Sequence, residues 1–249
     1  GLYMSVNAME QVILALDFPS LKMAESFLPN LPELVWVKVG MELYYHQGPQ
    51  VIYRLKELGY KVFLDLKLHD IPTTVKQATR ALVGSGVDML NFHAFGGRAM
   101  LEAAVEGAHQ APGPNPLLIG VTILTSTDQQ VLTAELGINR GISETVLAYA
   151  HLVQAAGLDG VVCSAQETKL LKKELGPDLL TVTPGIRLAG ANPDDQKRIT
   201  TPQEAKLNGS DFLVIGRALT QAKDPQATWS QIKAQLITAA KEEVLYGQE

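Results

Sequence analysis

A single cysteine, Cys163, occurs in the whole chain, so no internal disulfide can brace it. Stability must come from buried apolar surface, and a reducing, cytoplasmic setting is expected. No apolar run reaches the ~18 residues that would suggest a membrane-spanning helix, and no signal-peptide pattern opens the sequence. Clusters of basic residues are missing too, and the formal charge is −5. A nucleic-acid surface needs a concentrated positive patch, so that class of partner is not expected. A small anionic ligand stays open, because a few converging cations suffice for it. There is no low-complexity segment and no short repeat. No glycine-rich dinucleotide loop or pyridoxal-lysine motif is visible, so no cofactor is expected.

What the chain does have is 249 residues, 46% of them hydrophobic and 19% charged, enough for one large core. Gly1–Tyr3 precede a methionine and read as an added remnant, so fold reasoning starts at residue 4. Short β-rich apolar runs recur at Val12–Leu16, Val35–Val39, Lys61–Leu66, Met89–His93, Leu117–Leu124, Gly160–Ser164, Leu180–Thr183 and Phe212–Ile215. Several are apolar almost throughout, as parallel strands covered on both faces must be. Amphipathic segments with helical spacing lie between them. Met100, Leu101, Ala104, Val105 and Ala108 share one face of Gly97–Gln110, and Trp229, Ile232, Leu236, Ala239 and Ala240 share one face of Asp224–Tyr246. Gly59, Gly86, Gly157, Gly176 and Gly209 each follow a helical pattern and precede a strand, as left-handed caps do. Ser164 with Glu167, and Thr201 with Glu204 beside Pro202, read as capping boxes. Eight such units in this length predict an α/β fold, a single-domain (β/α)8 TIM barrel over residues 4–249.

Barrel enzymes keep their chemistry at the C-terminal ends of the strands, and charges gather there. Asp65 and Lys67 stand two apart in the third run, so their side chains share one side of a strand. Asp70 follows in the loop before Pro72, Lys38 sits inside the second run, and Asp17 ends the first. An isolated buried ion is costly, so an alternating Lys–Asp–Lys–Asp array is a physically reasonable arrangement. A lone Asp-x-Lys pair reads first as a structural ion pair. Four charges reaching the functional face from neighbouring strands favour a site instead. The seventh run ends in Thr183-Pro-Gly-Ile-Arg187 and the eighth in Gly216-Arg217, where barrels often bind phosphate with freed backbone N–H groups and a cation. The unpatterned stretch Arg187–Thr201 reads as a lid or binding segment, and Ser126–Gly141 as a second overhanging loop. Among the residues to discount, His69 and His93 read as hydrogen-bonded histidines rather than metal ligands, Cys163 as core, and Ser164 as a helix cap. Tyr44 and Tyr45 can edge the site or a subunit contact.

The stretch Asp65-Leu-Lys67-Leu-His-Asp70-Ile71-Pro72-Thr-Thr74-Val resembles the Asp-x-Lys-x-x-Asp-Ile-Pro signature of orotidine 5′-phosphate decarboxylases. The resemblance covers nearly the whole chain. Ala15-Leu-Asp17, Lys38-Val-Gly40, His93-Ala-Phe-Gly-Gly97, Leu124-Thr-Ser126, Thr183–Arg187, Asp195-Gln196 and Gly216-Arg217 occur in the family's order. It implies a cofactor-free, metal-free lyase that converts orotidine 5′-monophosphate to uridine 5′-monophosphate in pyrimidine biosynthesis. Lys67 is then the proton donor to C6, Asp65 lies against the substrate carboxylate, and Lys38 and Asp70 complete the array. The resemblance further implies a homodimer in which Asp70, Ile71 and Thr74 complete the neighbour's site. Asp17 and Lys38 hold the ribose, while Thr125, Ser126 and Gln196 lie at the pyrimidine. Arg187, Gly216 and Arg217 take the phosphate. Thr73, Phe95 and Ala218-Leu219 depart from the family's usual residues, and none of them removes a charge from the array. Two other readings stay open, a Mg²⁺-dependent keto-sugar-phosphate decarboxylase or aldolase on a related barrel, and a non-catalytic nucleotide-binding barrel.

Overall fold

The eight apolar runs become eight strands: β1 (Val12–Ala15), β2 (Trp36–Gly40), β3 (Lys61–Leu68), β4 (Met89–His93), β5 (Leu117–Val121), β6 (Gly160–Val162), β7 (Leu180–Thr183) and β8 (Phe212–Ile215). In this computed structural model, which describes residues 8–188 and 200–246, they close into a barrel in chain order with helices between them. Each strand is short and mostly buried, and β1 is buried at every position, as expected where helices cover the outer face and side chains fill the interior. Residues up to Phe63 together with those from Thr183 onward form one compact unit, and Leu64–Val182 form the other.

In the first unit β1 is the centre, pairing in parallel with β2 and with β8. The register sets Ala15 beside Lys38 and Leu14 beside Ile215, which brings the ends of these three strands together. The helix Pro225–Tyr246 buries Trp229, Ile232, Leu236 and Ala239, the face that its spacing predicts. Trp229 Nε1 also donates to the Pro32 carbonyl at 2.8 Å, so this fully buried indole is satisfied at its one polar atom. Lys206, near the end of the helix Pro202–Leu207, is buried. Its ammonium donates to Gln11 Oε1 at 2.6 Å and lies 3.8 Å from Glu243.

In the second unit β4 pairs with β5, β5 with β6 and β6 with β7, all in parallel. The helices Pro72–Val83 and Arg98–Gln110 cross at Gly107, where a Cβ would come within 2.2 Å of the Lys76 carbonyl. Only glycine permits that approach.

The punctuation holds. Both capping boxes are present with reciprocal hydrogen bonds. All five glycines before strands have positive φ, although Gly176 combines it with an extended ψ of 165° rather than a left-handed turn. Five strands differ from expectation at their limits. β1 stops one residue earlier, at Ala15, and β2 is shifted by one residue at both ends, to Trp36–Gly40. β3 runs two residues further, to Leu68, while β5 stops at Val121 and β6 at Val162. The Ser126–Gly141 stretch is not wholly loop, since Val131–Glu135 form a short wide helical turn. Among the described residues no helix is long and apolar enough to cross a membrane.

Candidate active site

The last turn of β3 carries the chemistry-bearing pair. Asp65 is buried, Lys67 is half-buried, and the Lys67 ammonium donates to Asp65 Oδ1 at 2.8 Å. The two side chains do lie on one side, but the strand is not regular there. Lys67 has a φ of 49° and is one of two non-glycine residues at positive φ among the described residues. A lysine in that region costs about 1–3 kcal/mol, so its surroundings must hold it there.

What holds it is a residue the sequence reading passed over. Asn91, on β4 and 2% exposed, accepts the Lys67 backbone N–H at 2.9 Å. Its Nδ2 donates to Asp65 Oδ1 at 2.8 Å. One amide therefore fixes both the strained backbone and the carboxylate. The available signal was a lone polar residue inside the apolar strand Met-Leu-Asn-Phe-His.

Asp70, Ile71 and Thr74 follow at the start of the helix Pro72–Val83, and all three are exposed. Ile71 is 66% exposed, while the Asp70 carboxylate accepts the Ile71 N–H at 2.7 Å. The two histidines differ from expectation, because ring packing holds them rather than hydrogen bonds. His69, His93 and Phe95 stack mutually, with centroids 4.4 to 5.9 Å apart. Burial lowers the His93 pKa from its ordinary value, with the charges of His69 and Lys67 adding to the effect and Asp65 opposing it. Among the described residues no cluster of three histidine, cysteine or carboxylate groups suited to a metal ion occurs. Thr125 and Ser126 are exposed in the loop after β5. Cys163 is buried against Thr168, and Ser164 caps its helix, as expected.

The first unit gathers the remaining groups. Asp17 follows β1, Lys38 lies in β2, and Gly216 and Arg217 follow β8. Because β1 pairs with both neighbours, these ends are adjacent. A Cβ on Gly216 would stand 3.2 Å from Asp17 Oδ2, so the glycine keeps the carboxylate and the strand end in close approach. Gly216 opens the one-turn helix Arg217–Thr220, and Arg217 is exposed. Arg187 is half-buried, its Nη1 donating to the Ile186 carbonyl and its backbone N–H to Thr200. Gln196 and most of the Arg187–Thr201 segment lie outside the described residues.

Comparison with known proteins gives a consistent result. A family model described as "Orotidine 5′-phosphate decarboxylase / HUMPS family" matches residues 10–232. An orotidine 5′-phosphate decarboxylase of Geobacillus thermodenitrificans is 52% identical over 225 residues, 89% of this chain and 94% of that protein. One from Streptococcus thermophilus is 51% identical, covering 90% and 96%. Among solved structures, an orotidine 5′-phosphate decarboxylase from Lactobacillus acidophilus aligns with a TM-score of 0.81 at 41% identity, covering 91% of this chain and 99% of that one. An uncharacterized conserved protein from Geobacillus kaustophilus aligns with a TM-score of 0.80 at 47% identity, covering 90% and 99%.

Proposed function

The chain belongs to the orotidine 5′-phosphate decarboxylase / HUMPS family, and we propose that it converts orotidine 5′-monophosphate to uridine 5′-monophosphate. The observation that carries this reading is identity above 50%, over about nine-tenths of the chain, to relatives named for that reaction. The Asp65–Lys67 pair fits it chemically.

In the proposed reaction the bond from C6 to the carboxylate breaks, CO2 leaves, and the electron pair stays on C6. That pair occupies an sp² orbital which the ring π system cannot delocalise, so fixed charge must stabilise it. An ammonium about 4 Å away is worth about 4 kcal/mol at an effective dielectric of 20. Lys67 supplies this field and then gives C6 its proton. Asp65 faces the substrate carboxylate, and the repulsion between them ends as CO2 departs. Lys38 and Asp70 complete the array, with Lys38 and Asp17 holding ribose hydroxyls. Thr125, Ser126 and Gln196 meet the pyrimidine. Arg187, Gly216 and Arg217 bind the phosphate, whose binding energy helps to orient the reacting end.

The active unit in this reading is a cytoplasmic homodimer built from one catalytic domain over residues 4–249, working without a cofactor. Asp70, Ile71 and Thr74 are all exposed, which leaves them accessible for the role in the neighbouring subunit's site that this reading gives them. The test is loss of ultraviolet absorbance when EDTA-treated protein meets orotidine 5′-monophosphate. Turnover supports the reading and rules out an essential divalent metal. Failure of folded dimer to turn over, with activity on a keto-sugar phosphate restored by Mg²⁺, would replace it.

A further inference from the structure

We propose that Asn91 is a positioning residue for this reaction, holding the Lys67 backbone and the Asp65 carboxylate in the arrangement that proton transfer needs. The proposal rests on the reading of Asp65 and Lys67 as the reacting pair.

The chemistry of the partners fixes how the amide must lie. The Lys67 N–H can only donate, so Oδ1 faces it at 2.9 Å, and the Asp65 carboxylate can only accept, so Nδ2 faces it at 2.8 Å. Asp65 Oδ1 thus receives both Asn91 and the Lys67 ammonium. Lys67 sits at φ 49°, where a non-glycine residue does not stay without support. Asn91 supplies that support from a neighbouring secondary-structure element and is itself buried. Without it the backbone can relax toward the extended region and carry the ammonium away from its aim. The carboxylate would also lose a donor that orients it. Misplacement of a catalytic group by about 1 Å can cost about 10²-fold in rate.

Two isosteric variants test the role, with Lys67→Ala measured in parallel. Asn91→Leu keeps the same branched heavy-atom skeleton and deletes both hydrogen bonds. Its kcat should fall about 10²-fold while affinity for uridine 5′-monophosphate changes by less than about threefold. Asn91→Asp keeps an acceptor for the Lys67 N–H but sets a carboxylate against Asp65. Two carboxylates this close hold one proton between them. That proton restores the missing donor at low pH and is lost as pH rises. The Lys67 ammonium and the half-buried His93, itself coupled to His69, are titratable groups that interact with Asp65 or its neighbours in this unit. The ratio of Asn91→Asp turnover to wild-type turnover should therefore fall with rising pH, which a purely structural role does not produce. If Asn91→Leu fails to fold, this ratio decides alone. A folded Asn91→Leu with kcat within about twofold of wild type, equal losses in kcat and nucleotide affinity, or a pH-independent ratio overturns the proposal. Near-normal turnover in Lys67→Ala would instead remove the parent reading. An inactive Lys67→Ala beside a near-normal Asn91→Leu would remove only the positioning role.

Discussion

Lys206 and Lys67 are both lysines drawn out of bulk water, and they are held in opposite ways. Lys206 rides on a regular helix, is buried, and donates to the neutral amide of Gln11 with Glu243 at a longer 3.8 Å. Lys67 keeps 30% of its side chain exposed, faces the full charge of Asp65, and stands on a backbone at φ 49°. The first arrangement satisfies a buried cation and ties Gln11, ahead of β1, to the helix before β8. The second keeps a cation accessible, beside a carboxylate that Asn91 also orients. Strain of about 1–3 kcal/mol is tolerated there, and nothing in packing alone calls for it. A buried lysine need not be a functional one; backbone strain and a held counter-charge are the distinguishing signs.

This contrast can be broken most sharply by removing each ammonium in turn. Lys67→Ala should abolish turnover while calorimetric binding of uridine 5′-monophosphate and the unfolding midpoint largely survive; near-normal turnover would end the distinction. Arg217→Ala comes next. An exposed cation of the first unit should act on affinity rather than chemistry, weakening phosphorylated ligands about 10- to 100-fold. An equal loss for nucleosides lacking the phosphate would contradict that role. Lys206→Met should lower unfolding free energy by about 1–3 kcal/mol, mainly through the orphaned Gln11 carbonyl, with kcat unchanged. A stable but slow variant would mean that Lys206 had been misjudged.

The smallest effect concerns His93. Its folded pKa is lowered, chiefly by burial, so the unfolded chain binds more protons between that value and the ordinary one of about 6.5. Its stabilising contribution is therefore present above about 6.5 and is lost as pH falls toward the folded value. Urea midpoints should drop between neutral and mildly acid pH, and His93→Gln should show a shallower drop. Parallel slopes in the two proteins would count against it.

Much of this was legible in the sequence because the barrel repeats one physical pattern. β4, β7 and β8 begin and end where their apolar runs do, and both capping boxes and the proline-marked helix starts are local signals. Apolarity misled at β5, where Leu124 continues the run but is 42% exposed beyond the strand's end. Spacing alone puts Asp65 and Lys67 on one side of β3, although it does not give their direct 2.8 Å contact. The contacts of Asn91 do not follow from spacing at all, because its partners lie 24 and 26 residues away and only pairing in the fold brings them to it. The positive φ of Lys67 was equally hidden, since Asp-Leu-Lys-Leu-His contains no glycine or asparagine to announce it. The stacking of His69 and His93 on Phe95 depends on side-chain directions that spacing does not specify.

The most direct measurement is chemical rescue of the ammonium at position 67. Cys163 is the only native cysteine and is buried, so aminoethylation of Lys67→Cys can be directed to the new thiol, with wild-type protein as the control. Inactive Lys67→Cys that regains turnover once alkylated to a lysine-like side chain is the expected result. A modified protein that binds uridine 5′-monophosphate yet stays inactive, or an unmodified variant that already turns over, would contradict the assignment of the reacting cation to Lys67.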